Sequence, residues 1–125
     1  MKITTIELPI YEVDIIVVID SWEEANKQYD LRFIEEDYDV DGWTIHTHGS
    51  LKTEEILVML KSSTITYNVI CHEVFHCVSA VCKKKGIIMD IENDEPLAYL
   101  QGYIAEKIFE FRDNYLKQNN KENKK

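Results

Sequence analysis

Residues 65–86, ITYNVICHEVFHCVSAVCKKKG, decide the fold. Ile70, Val74, Cys77, Val78 and Val81 recur at three- and four-residue spacings, the period of a helix with one buried stripe. Ser63 or Thr64 is placed to cap its start, and Lys83, Lys84 and Lys85 suit the negative end of its dipole. Gly86 then supplies the residue that most readily takes the left-handed conformation ending a helix. Inside this predicted helix, about 65–85, stands His72-Glu73-Val74-Phe75-His76. Residues four apart share a helix face, so both imidazoles point the same way. That is the arrangement for two ligands on one Zn²⁺, with Glu73 between them positioned to activate a zinc-bound water.

A catalytic zinc keeps three protein ligands and one open position, so a third ligand must come from outside the motif. Downstream, Glu95-Pro96 opens a second long helix, about 95–116, with Leu97, Leu100, Tyr103, Ile104, Ile108 and Phe111 as its apolar period. Glu95, at the start of that helix, is the best-placed third ligand; Asp94 and Glu92 are rivals that would bind from the loop. Ala98 and Gly102 share a face with Glu95 and read as a small-residue surface where the two helices cross closely. Tyr67, Tyr99, Tyr103, His46 and His48 are candidate donors to a developing oxyanion, with no ground for choosing among them.

Upstream of the motif helix the pattern changes to strands. Residues 2–9 are rich in β-branched side chains, and residues 12–20 carry a continuous apolar centre typical of a buried strand. Ser21 is placed to cap a short helix through Tyr29. Residues 35–41 are acidic and turn-like, residues 43–48 alternate as a third strand, and Ile56–Leu60 reads as a fourth. His46 and His48 would share a face of the third strand, a position that exposed histidines commonly occupy. The class is therefore α+β: about four mostly antiparallel strands with a short helix, then two long packed helices. One domain is expected over 1–116, followed by a flexible basic tail over 117–125.

The net charge is −9, divided as +3 over residues 112–125 and −12 over the rest. With Arg32 and Arg112 as the only arginines, this balance excludes a nucleic-acid backbone as the main partner. A peptide, a protein substrate or a protein partner remains; the sequence leaves the oligomeric state open. No stretch has the length of a membrane span, and Met1–Thr5 does not begin a signal-peptide pattern. Cys71, Cys77 and Cys82 are odd in number and lie in one predicted helix, which fits buried thiols in a reducing cytoplasm better than a disulfide framework.

His72-Glu73-Val74-Phe75-His76-Cys77-Val78-Ser79, Gly86-Ile87 and Asn93-Asp94-Glu95-Pro96-Leu97-Ala98-Tyr99-Leu100 together resemble a minimal gluzincin, the thermolysin-like branch of the zincin metallopeptidases. The chain is similar to small single-domain metallopeptidase-like proteins of bacteriophage and mobile-element genomes, and the resemblance covers nearly the whole domain. It implies His72, His76 and Glu95 as zinc ligands, Glu73 as the base, and a host cytoplasm as the setting. It further implies that Ile56–Leu60 is an edge strand along the cleft, where an extended peptide adds to the sheet. The chain departs from the large gluzincins at Tyr99, where they carry an Asp that orients the first His; the Tyr99 hydroxyl would take that role. It also has no residues for the second subdomain that walls their cleft. The same scaffold, if catalytically weak or inactive, would act by binding a partner protein, in the phage setting a host factor.

Overall fold

A computed structural model describes residues 2–123, with side chains over 2–119. The strands are β1 (Lys2–Leu8), β2 (Val13–Ile19), β3 (Gly42–Ile45) and β4 (Glu55–Leu60); the helices are α1 (Trp22–Gln28), α2 (Tyr67–Lys85) and α3 (Glu95–Asn123). They form one sheet in the order β1-β2-β4-β3. β1 runs antiparallel to β2 and β3 antiparallel to β4, while β2 and β4 are parallel. The expected α+β class, with two long packed helices, is the observed one.

Composition sets how β2 and β4 are covered. Strands apolar on consecutive residues must be covered on both faces. Ile15, Val17 and Ile19 with Ile56, Val58 and Leu60 point into one core, closed by α2 and α3. Ile16 and Val18 with Leu57 and Met59 point into another, closed by Trp22, Ala25, Leu31 and Ile45. The Trp22 indole N–H donates to the Leu60 carbonyl at 2.8 Å, pinning α1 across the end of β4.

Several expectations are corrected here. Ile56–Leu60 is a central strand, fully buried between β2 and β3, because its apolar residues alternate between the two cores. The edge beside α2 is β3 instead. β3 ends at Ile45, so His46 and His48 lie in the bend beyond it and not on a strand face. Thr66, rather than Ser63 or Thr64, caps α2: its hydroxyl accepts from the Val69 N–H at 3.2 Å. Thr64 instead donates to the Asp41 carbonyl, tying the approach to β3 to the approach to α2. The backbone of α3 stays helical past Leu116 to Asn123, through most of the segment where a tail is expected. Gly102 has open space where a Cβ would stand, so no close helix crossing explains it.

Asp20 ties the ends of β2 and β4 to α3. It follows β2 with φ 69°, and its carboxylate accepts from the Ser62 N–H at 2.8 Å and from the Tyr115 hydroxyl at 2.7 Å. Burial pushes this carboxyl up, but the bonds from Ser62 and Tyr115 outweigh it and hold it below the usual carboxylate range.

Three substitutions test these positions. Gly102→Ala is expected to stabilise the protein by about 1 kcal/mol, and Gly86→Ala, at φ 67°, to destabilise it by about 1 kcal/mol, both read from urea unfolding. Tyr115→Phe is expected to cost about 1–2 kcal/mol at neutral pH. An Asp carboxyl lowered in the fold stabilises above its unfolded value and loses that contribution as pH falls through the folded one. The gap between Tyr115→Phe and the parent therefore closes in acid below about pH 3.8, which melting curves across pH will read.

Candidate functional site

α2 turns its apolar stripe to the sheet, which leaves His72 and His76 on the exposed face. Their Nε2 atoms stand 3.1 Å apart, with the rings edge-on at 74°. Two nitrogens at about 2.0–2.1 Å from one tetrahedral zinc are about 3.3–3.4 Å apart, so the pair fits two of a zinc ion's ligand positions.

Glu73 faces the other way. At 5 % exposure it is the one buried charged side chain among the described residues. Its Oε1 accepts from the Thr44 hydroxyl of β3 at 2.8 Å. Thr44 and Gly42 point toward α2, while Trp43 and Ile45 belong to the opposite core. Gly42 makes the room: a Cβ there would lie 3.2 Å from Glu73 Cγ and 3.3 Å from Oε2. Cys77, one turn further along α2, completes a buried polar group. Burial pushes its thiol up and the Glu73 charge adds to that, while Thr44 opposes it. Gly42 and Thr44 were not singled out by the sequence; the signal for them was the strand alternation of 42–45.

The carboxylates expected to complete a metal site are elsewhere. Among the described residues no three His, Cys, Asp or Glu side chains gather into a group able to hold a metal ion. Helix phase explains this. α3 packs on the flank of α2 that carries Phe75 and Val78, where it presents Leu97, Ala98 and Gln101, with Asp94 just before its first residue. Phe75 lies about 60° around the helix from His72 and about 100° from His76. Glu95 and Glu92 are exposed and stand apart from the His pair.

Tyr99 is 76 % exposed and lies with Tyr103 in a groove against Leu8, Pro9 and Tyr11, because its helix face looks toward β1. The structure thus does not bring it to His72, and the orienting role expected for its hydroxyl is not formed. Tyr67 packs on Phe109, under the Arg112 guanidinium. His46 stands at the far end of α2, where its carbonyl accepts from Lys84 at 2.9 Å. Partial burial, followed by Lys84, Lys83 and His48, pushes its imidazole below the usual range.

Thr44→Val is expected to destabilise the protein by about 1–3 kcal/mol, since it leaves a buried carboxylate without its hydroxyl donor. Urea unfolding of this variant against a Thr44→Ser control, which keeps the donor, checks the assignment.

Compared with protein-family models, curated proteins and solved structures, the chain has no match.

Proposed function

We propose that the protein is a zinc-dependent peptidase-like hydrolase, with His72 and His76 as zinc ligands, Glu95 as the third ligand and Glu73 as general base. The observation that carries this reading is the exposed His72–His76 pair, its Nε2 atoms 3.1 Å apart, on the same helix as the buried Glu73. A zinc ion bound there would supply Lewis-acid activation of water near neutral pH. Thr44 occupies Oε1 of Glu73 and orients the carboxylate, which leaves Oε2 to take a proton. The substrate would be an extended peptide added to the outer edge of β3, the strand that lies beside α2. For Glu95 to act as a ligand, the first turn of α3 must approach the His pair. Among the described residues no helix is long and apolar enough to cross a membrane, and the three cysteines are free, which suits a reducing cytoplasm, that of a host cell in the phage setting.

A second reading, a protein that works by binding a partner protein, is favoured by a different observation. Ile88 and Ile91, between α2 and α3, are 88 % and 91 % exposed.

Zinc titration against a competing chelator, with hydrolysis of a quenched fluorescent peptide library, separates the two. Glu73→Gln is expected to retain zinc and lose hydrolysis by about 10²–10⁴-fold. His72→Ala is expected to lose both. A parent protein that takes up no zinc, or a Glu73→Gln variant as active as the parent, would overturn the hydrolase reading.

A further inference from the structure

The segment joining α2 to α3 borders an apolar groove. One part is a cavity of about 260 Å³ between Phe75 and Val78 of α2, Leu97 of α3, and Met89 and Ile91 of the connection. Met89, Asp90, Ile91 and Leu97 also line a second cavity of about 880 Å³, so the two lie side by side along the connection. A defined turn holds the apolar side chains out. Asp90 accepts from the Glu92 N–H at 3.0 Å, and the Asn93 N–H donates to the Asp90 carbonyl at 3.1 Å. Large apolar side chains kept in water by an ordered turn, around a concave surface, mark an interaction site.

The charge around the groove selects the occupant. Asp90, Glu92 and Asp94 line it, and none of the described lining residues is Lys, Arg or His. Glu95 follows directly in the chain. An apolar floor with an acidic rim complements a bulky apolar side chain flanked by cations, and it repels anionic partners.

We propose that this groove docks a segment of a partner protein that carries a bulky apolar anchor flanked by Lys or Arg. The inference rests on the partner-binding reading, but it needs neither zinc nor Glu73. Desolvation of the apolar anchor supplies the affinity, and the rim sets which sequences are accepted.

The test is selection of a random-peptide display library on the purified full chain. Enriched peptides are expected to share a bulky apolar residue flanked by Lys or Arg. Binding of the resynthesised best peptide is expected to weaken as salt is raised. Affinity should fall about tenfold or more in Ile91→Ser and in the triple variant Asp90→Asn, Glu92→Gln, Asp94→Asn. These changes lie at exposed positions, and the Asn at 90 keeps the turn's acceptor, so melting should match the parent. Glu73→Gln should bind like the parent. Peptides that bind equally well to both groove variants would sink the groove assignment while leaving partner binding intact. No enrichment at all, or enrichment of acidic peptides, would sink both. Self-association in sedimentation that Ile91→Ser abolishes would assign the groove to a second copy and overturn the proposal.

Discussion

The pairing of β2 with β4 is the constraint on which the rest of the molecule depends. Both strands are apolar on consecutive residues, and each must be shielded above and below. One face takes the two long helices and the other takes α1 with the chain leading to β3. A parallel pair needs a long crossover, and the 35 residues between Ile19 and Glu55 provide it. That crossover delivers β3 to the far side of β4, beside α2. The edge strand next to α2 is therefore a product of how the sheet centre is covered.

Glu73 is the second organising feature. A buried carboxylate is costly unless hydrogen-bonded, and here the bond crosses from helix to strand. The contact uses the hydroxyl at 44, and a Cβ at 42 would stand 3.2 Å from both Glu73 and Val69, so two positions of a four-residue strand fit closely against α2. The outward histidines and the inward Glu then have different supports. His72 and His76 owe their shared face to helix periodicity alone, whereas Glu73 owes its orientation to tertiary packing.

The two long helices were legible because their periodicity, the Gly86 terminator and Pro96 are local signals. The stripe Ile70, Val74, Cys77, Val78 and Val81 is buried as read, and so are Leu100, Ile104 and Ile108. Strand order was not legible. Ile56–Leu60 looks the same in sequence whether it lies at an edge or in the centre, since neighbours from distant parts of the chain decide that. Where Glu95 stands relative to the histidines is not a local signal either. Helix phase correctly grouped Glu95, Ala98 and Gly102, but the rotation of α3 against α2 is set by how Leu100, Ile104 and Ile108 pack. That rotation puts Ala98 in the groove that Phe75 also lines and leaves Gly102 in open space.

The three cysteines divide by burial: Cys77 and Cys82 lie inside α2's packed stripe, while Cys71 is exposed. The first two are sheltered from reagents and their thiols are pushed up, which disfavours the reactive thiolate. The fold therefore presents a single exposed thiol. It lies one residue before His72, so a fluorophore attached there would report on the surroundings of the histidine pair without any engineered handle.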